Sequence, residues 1–223
     1  MRKYYILKQR LVFPSPTSTA CTIRSLHDTA TSAARVAAAK KIEILVSIAT
    51  AKTYLAELKV APPVTEPAYD RKKFQHWITI SGKCDTRETV LKRDATVEVT
   101  VDSECKATAG AWYSDYDGIP VANATGLDID HIVPLKEGWQ AGAWNWTATR
   151  RKEFANDLIR PQLLAVSASS NRMKGDKDPS KWMPSNPSYR CTYIRAWIQV
   201  KYYYELTVDQ AEKDTLTEII NAC

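Results

Sequence analysis

A proline-rich segment divides the chain into two unequal parts. The sequence Ala61-Pro-Pro-Val-Thr-Glu-Pro67 cannot continue a helix, because proline lacks the backbone N–H and its ring clashes with the preceding turn. Residues 29–60 are rich in alanine and contain neither glycine nor proline, which predicts one long helix. We therefore predict a basic arm and helix over residues 1–62, a linker over 63–68 and the main domain over 69–223.

The positive charge of the chain lies almost entirely before this linker. The formal net charge is +6, but residues 1–62 hold ten Lys or Arg against three Asp or Glu, whereas residues 63–223 hold 21 against 22. A main domain of nearly balanced charge binds nucleic acid only through a local group of cations or a metal, so the overall charge does not identify such a partner. No apolar run approaches the roughly 20 residues that cross a bilayer, and no membrane partner is expected.

Five cysteines indicate disulfide bonds, because no C-x-x-C pair offers zinc-ligand spacing. Cys191 lies near the start of one predicted helix and Cys223 at the end of the next, and two antiparallel helices of similar length bring these ends together. Cys84 and Cys105 enclose a segment rich in Thr and Val that can fold back on itself. We predict these two pairs with Cys21 left free. Disulfides predict a secreted protein, although the first ten residues do not form a clear signal peptide.

The main domain is predicted to be of the α+β class. Short strands are expected at residues 77–80, 96–101 and 111–113, and a short helix at 87–92. From residue 189 the chain is predicted to turn helical. Thr207 and Gln210 form a capping box that would open the last helix, over residues 208–222.

One of the three histidines lies in a pattern that can carry chemistry. His131 follows Leu127-Asp-Ile-Asp and precedes Ile132-Val-Pro-Leu, so a buried strand delivers acids and an imidazole and then stops at a proline. Asp128 and Asp130 would share one side of that strand, with His131 on the other. These residues alone are equally compatible with a hydrogen-bonded structural cluster.

The downstream sequence favours a catalytic site. Asn156 stands in Phe-Ala-Asn-Asp-Leu, a second apolar strand is predicted at residues 162–166, and Asn171-Arg-Met-Lys174-Gly-Asp follows. This order of an Asp-His strand, an Asn, a strand and Asn-x-x-Lys resembles the HNH endonucleases of the ββα-metal class. Over roughly residues 69–223 the chain resembles secreted HNH-family proteins of fungi and bacteria. The resemblance implies a ββα-metal core at 127–177 with added strands, and a helical tail at 188–223.

The same resemblance implies a role for each motif residue. His131 would be the general base, and Asp130 and Asn171 would hold one divalent metal. Asn156 would orient the histidine, and Lys174 would face a phosphate.

Two arginines are further candidates for phosphate contacts, Arg172 beside the motif and Arg87 in the predicted short helix. The third motif element offers Asn171 and no histidine ligand, so the oxygen-rich site suits Mg²⁺, or Mn²⁺, better than zinc. Because an unperturbed imidazole titrates near pH 6.5, activity is expected to rise through mild acid.

The sequence therefore predicts a metal-dependent endonuclease that hydrolyses phosphodiester bonds of DNA with weak sequence specificity. Two alternatives remain open at this point. The first is a ribonuclease of the same fold, because the motif contacts phosphate and metal rather than bases. The second is a secreted nucleic-acid-binding or effector protein that keeps the fold without catalysis.

Overall fold

The computed structural model describes residues 45–223, which include the whole predicted main domain. The predicted basic arm, Cys21 and most of the predicted long helix lie outside the described residues. The first described helix, α1, spans Ile48–Glu57. Ser47 is extended and caps α1 by accepting a hydrogen bond from the Thr50 backbone N–H, so the prediction of one unbroken helix over residues 29–60 is wrong.

Short antiparallel strands form three small sheets in the described residues. The strands are β1 (Thr79–Ser81), β2 (Cys84–Asp85), β3 (Ala95–Val101), β4 (Ala107–Ser114), β5 (Ile119–Val121), β6 (Leu127–His131) and β7 (Leu163–Ser167). Strand β1 pairs with β2, β4 lies between β3 and β5, and β6 pairs with β7. The predicted strands at 96–101 and 111–113 fall within β3 and β4.

The remaining helices surround these sheets, and the predicted mixture of helix and strand is confirmed. They are α2 (Thr86–Asp94), α3 (Leu135–Gln140), α4 (Ala148–Ala155), α5 (Ala168–Lys174), α6 (Arg190–Tyr203) and α7 (Gln210–Ala222), with a 3-10 turn at Arg71–Lys73. Helix α7 is capped by Asp209 and not by the predicted Thr207, whose hydroxyl donates to the Ala141 carbonyl instead. Across residues 45–223 no helix is both long and apolar enough to span a membrane.

Strands β6 and β7 and helix α5 form the unit that carries Asp130, His131, Asn171 and Lys174, whereas Asn156 directly follows α4. In the register of the two strands Asp128 lies opposite Val166 and Asp130 opposite Leu164. All five residues of β7 are buried, as its apolar sequence predicts. Ser167 ends β7 and caps α5 by accepting from the Ser170 backbone N–H. The chain therefore passes from strand to helix without a loop. Because Ser167 lies opposite Leu127, α5 begins beside the start of β6, and its last residue, Lys174, reaches Asp130 near the end of that strand.

The C-terminal helices pack on the larger hydrophobic core. This core contains buried aromatic side chains from the start of the main domain to its tail, among them Phe74, Trp139, Phe154, Tyr193 and Trp197. Lys201 on α6 is fully buried and donates to Glu137 Oε1 at 2.7 Å and to Glu212 Oε2 at 3.1 Å. Because Glu137 belongs to α3 and Glu212 to α7, this buried cation joins three helices. It fixes α3, which directly follows the His131 strand, to the tail.

Both predicted disulfide pairs are present. Cys191, near the start of α6, is bonded to Cys223, directly after α7, with 5.8 Å between the Cα atoms. Cys84 in β2 is bonded to Cys105, just before β4, with 5.2 Å between the Cα atoms. The bond between Cys191 and Cys223 holds the ends of a helical hairpin, and the bond between Cys84 and Cys105 holds the edge of the strand region. In sequence, the first bond lies after the β6–β7–α5 unit and the second lies before it.

Candidate active site

A cleft of about 420 Å³ lies at the end of β6, where it meets α5. Its walls combine three of the predicted motif residues with three cations: Asp130, His131, Asn171, Arg71, Lys136 and Arg172. Asp130 and His131 were expected on opposite sides of β6, yet both line this cleft, because β6 ends at His131. The cleft thus brings together acid, imidazole, amide and positive charge.

His131 is buried and held by the backbone. Its Nε2 lies 3.0 Å from the Ala155 carbonyl oxygen, and its side chain is nearly out of contact with solvent. A carbonyl can only accept a hydrogen bond, so the proton of the neutral ring is on Nε2 and the lone pair is on Nδ1. Burial lowers the pKa of His131 to about 3, against the opposing effect of the Ala155 carbonyl. The imidazole is therefore neutral at ordinary pH, and this ring gains a proton only well below pH 6.5.

Asp130 is fixed through one of its two oxygens. The Tyr116 hydroxyl and the Lys174 ammonium both donate to Oδ2 of Asp130, and all three side chains are buried. Burial raises the pKa of Asp130, while the Lys174 charge opposes that shift. Because both hydrogen bonds end on Oδ2, Oδ1 is the oxygen that can face a cation in the cleft.

Lys174 does not lie where a phosphate could reach it. Its side chain is fully buried, and Nζ donates to Asp130 Oδ2 at 2.5 Å, to the His131 carbonyl at 2.7 Å and to the Ile132 carbonyl at 3.0 Å. Burial lowers the pKa of Lys174, but three acceptors around Nζ match the three protons of an ammonium and favour the charged form. The prediction that Lys174 faces a phosphate is therefore wrong. Lys174 instead holds the end of β6 through its buried hydrogen bonds to Asp130, His131 and Ile132.

Asn171 is paired with the other acid of the strand. Its Nδ2 donates to Asp128 Oδ2 at 3.1 Å, which uses the amide nitrogen and keeps the carbonyl oxygen as a possible ligand. Throughout residues 45–223 no group of three or more His, Cys, Asp or Glu side chains could hold a metal. Among the predicted motif residues, Asp130 and Asn171 offer oxygens at this cleft that could hold a hard cation, with water completing its shell, whereas the Asp176 carboxylate of the same cleft is paired with Lys136.

Asn156 makes no hydrogen bond to the histidine that it was predicted to orient. Its Oδ1 accepts from Thr86 Oγ1 at 2.7 Å and from the Ile78 N–H at 3.2 Å, and its Nδ2 donates to the Gln75 and Lys152 carbonyls. All of its amide atoms are therefore used elsewhere. The group that holds His131 is the carbonyl of the preceding residue, Ala155.

The predicted phosphate-contacting arginines have different surroundings. Arg172 is exposed and lines the cleft. Arg87 is partly buried, and its guanidinium donates to the carbonyls of Ala124 and Leu127, so it supports the entry to β6 and is not among the cleft residues. The assignment of Arg87 to the substrate is therefore corrected.

Two cleft cations were missed by sequence reasoning. Lys136 lies five residues after His131, close enough in sequence for the motif itself to have indicated it. Arg71 lies 60 residues before His131, in the basic run Arg71-Lys-Lys that follows the linker. Only the packing of that segment against the core brings Arg71 to the cleft.

Comparison with known proteins places the chain in a family. The sequence model of one protein family, the C-terminal domain of the GmrSD restriction endonucleases, matches residues 85–219, which are more than half of the chain. The chain belongs to this family. A protein of Arthroderma benhamiae, named an uncharacterized secreted protein, is 51% identical over 177 residues, which cover 79% of this chain and 86% of the relative. No solved structure matches the chain.

Membership of the GmrSD C-terminal domain family indicates a nuclease, whose substrate is a nucleic acid. The matched residues begin at Asp85, so Arg71 and the rest of the segment before β2 lie outside the match. The secreted relative and the two disulfides confirm the predicted secreted location.

Proposed function

We propose that the protein is a secreted HNH-type endonuclease that hydrolyses phosphodiester bonds of DNA, with weak sequence specificity and a divalent metal. The observation that carries the proposal is the neutral, anchored imidazole of His131 beside Asp130 in a cleft lined by three cations. A phosphodiester needs a deprotonated nucleophile and stabilisation of the developing negative charge. The cleft offers a group for each requirement.

His131 is proposed as the general base. Its Nδ1 takes a proton from the attacking water, and the imidazolium keeps its Nε2–H bonded to the Ala155 carbonyl. The same burial that lowers the pKa of His131 makes the imidazolium costly in the free protein. A phosphate entering the cleft adds negative charge near the ring, which stabilises the imidazolium during the step.

Asp130 and Asn171 are proposed to hold one divalent cation. Two protein oxygens suit Mg²⁺, which keeps several waters and binds through few protein ligands and substrate phosphates, and Mn²⁺ fits the same donors. When bound, such a cation stabilises the charge that develops on the phosphate and on the leaving oxygen. Tyr116 and Lys174 hold the carboxylate of Asp130 for that role.

Arg71, Lys136 and Arg172 are proposed to contact the substrate phosphates. All three line the cleft, and Arg172 was already a candidate from the sequence. Lys136 is also paired with Asp176 across the cleft wall, so its charge is partly neutralised until a phosphate competes for it. Arg71 and Arg172 are accordingly the stronger candidates, since a guanidinium can bind two phosphate oxygens.

Cleavage of supercoiled plasmid tests the proposal. Wild type should nick the plasmid with Mg²⁺ and stop with EDTA, and His131→Ala should lose about 10²- to 10⁴-fold in rate while still binding Mn²⁺ in titration calorimetry. Asn171→Ala should weaken Mn²⁺ binding itself. Asn145→Ala is the matched control, because its exposed amide is not among the cleft residues.

The same experiment separates the alternatives. Faster cleavage of single-stranded or duplex RNA than of DNA would assign a ribonuclease of this fold. Binding of nucleic acid without cleavage under any metal would assign a non-catalytic binding protein. Loss of Mn²⁺ binding in His131→Ala, with no change in Asn171→Ala, would mean that the base and the ligand are exchanged.

A further inference from the structure

Trp77 has a backbone conformation that large residues rarely adopt. Its φ is 57°, in the left-handed region, where a bulky side chain clashes with its own backbone and costs free energy. The conformation therefore persists only where the surroundings impose it. Trp77 lies just before β1 and outside the residues that match the family model.

Asn156 holds the backbone on both sides of Trp77. Its Nδ2 donates to the Gln75 carbonyl at 2.7 Å, and its Oδ1 accepts from the Ile78 N–H at 3.2 Å. One amide side chain thus spans the four-residue turn that contains Trp77. This bracing accounts for the strained conformation in physical terms.

The braced indole stacks on the imidazole of His131. The ring centroids are 5.7 Å apart and the planes are inclined by 30°. The Ala155 carbonyl fixes one edge of the same imidazole through Nε2 at 3.0 Å. A single hydrogen bond leaves a ring free to swing about that bond, whereas a second contact on the ring face removes this freedom. Edge and face together define the direction of Nδ1.

We propose that Trp77 is a positioning residue for His131 and that Asn156 acts on the histidine through it. Asn156 braces the turn that carries Trp77, and the residue before it, Ala155, anchors the imidazole edge. Asn156 makes no hydrogen bond to His131, so its side chain acts on the histidine only through the turn that carries Trp77, while the neighbouring Ala155 carbonyl holds the other side. This inference rests on the proposed nuclease function and adds a segment upstream of residues 85–219 to the site.

Trp77→Gly removes the ring and keeps the turn, because glycine accepts a φ of 57° without a side-chain clash. We expect kcat to fall about 10- to 100-fold with KM little changed, as for residues that orient a catalytic group. Trp77→Phe, which restores an aromatic face, should recover most of the lost kcat. Trp77→Asn, which also tolerates the left-handed region, serves as a second ring-free variant if Trp77→Gly fails to fold.

Trp146→Ala is the matched control. Trp146 is also a partly buried tryptophan, but it packs against Phe154 and Tyr204 rather than against His131. It should lower the melting temperature and leave kcat of the folded protein unchanged. An equal loss of kcat in Trp146→Ala and Trp77→Gly would reduce the role of Trp77 to core packing and overturn the inference.

Nuclear magnetic resonance of histidine-labelled protein gives a readout that needs no activity. The ring protons of His131, assigned by their disappearance in His131→Ala, should shift in Trp77→Gly because the indole ring current is lost. If the His131 resonances do not shift in Trp77→Gly, the inference is overturned. It is also overturned if the wild type is active and Trp77→Gly has the same kcat. Either result leaves the proposed function in place. A wild type that cleaves no nucleic acid would overturn the proposed function, and the resonances would then decide whether Trp77 holds the ring.

Discussion

Lys174 Nζ lies 2.5 Å from Asp130 Oδ2 inside the protein, and both side chains are shielded from solvent. The lysine comes from the last residue of α5 and the acid from β6, so the ion pair fixes the helix to the strand that carries His131. A buried pair of this kind contributes little net stability compared with apolar residues, but removal of one partner leaves a buried charge. The pair therefore determines geometry more than it adds stability.

Lys174→Met should lower the free energy of unfolding by about 3–5 kcal/mol, because Asp130 would remain buried without its cation. Tyr116→Phe should cost less, about 1–3 kcal/mol, since it removes one hydrogen bond to the same carboxylate. Urea unfolding at pH 7 measures both. Lys177→Met is the control, because the Lys177 side chain is exposed and the hydrogen bond described for it goes to the Met173 carbonyl. This substitution should change the free energy of unfolding by about 0.5 kcal/mol or less. Unchanged stability of Lys174→Met with weakened DNA binding would restore the phosphate role.

The sequence predicted those parts of the site that depend on local pattern. The apolar strand ending in Asp-His and the second buried strand follow from periodicity and turn residues over a few positions, whereas the helix at Asn-x-x-Lys was implied by the resemblance to the ββα-metal class. The pairing of Cys191 with Cys223 followed from the lengths of two adjacent helices. Each of these inferences needs only the geometry of neighbouring elements.

The errors at the site concern side chains whose partners are distant in sequence. Lys174 resembles a surface cation at the end of a helix, and its partner Asp130 lies 44 residues earlier. Arg71 reaches the cleft only through tertiary packing, and Trp77 resembles the start of a strand until its left-handed backbone is seen. Charge and residue type predict that such groups exist, but not which way they face.

The stability of the protein should depend on pH through His131. Its folded-state pKa of about 3 lies below the value near 6.5 expected in the unfolded chain, so between these values only the unfolded state gains the proton. Stability from this group is fully present above pH 6.5 and is lost as the pH falls toward 3. At pH 5 the loss should be about 2 kcal/mol relative to pH 8.

Urea unfolding of wild type and His131→Asn at pH 8 and pH 5 measures this effect. Between pH 8 and pH 5 the free energy of unfolding should fall more for wild type than for His131→Asn, since asparagine does not titrate. An identical pH dependence of both proteins would contradict a depressed pKa for His131. The rate of cleavage should correspondingly show no loss between pH 7.5 and pH 6 that arises from this imidazole.

The bond between Cys191 and Cys223 should contribute about 3–4 kcal/mol, since it closes a loop with a sequence separation of 32 residues. The double substitution of both cysteines by serine should lower the melting temperature and loosen the end of α7 first. Differential scanning calorimetry measures the first effect and amide hydrogen exchange the second. Peptide mapping without reductant checks the pairing itself, and a link from Cys21 to either residue would contradict it.

The two arginines first expected at the substrate should behave differently when each is replaced by methionine. Arg172 faces the cleft, so Arg172→Met should weaken DNA binding and reduce the slope of log K against log salt by about 1, the effect of one lost phosphate contact. Arg87 donates to the Ala124 and Leu127 carbonyls, so Arg87→Met should leave that slope unchanged and lower the free energy of unfolding by about 1–3 kcal/mol. Fluorescence anisotropy at several salt concentrations, with urea unfolding of the same samples, separates these effects.

Arg190→Met, which changes an exposed arginine outside the cleft, should leave the slope unchanged. A reduced slope for Arg87→Met together with wild-type stability would show that the substrate extends from the cleft toward α2.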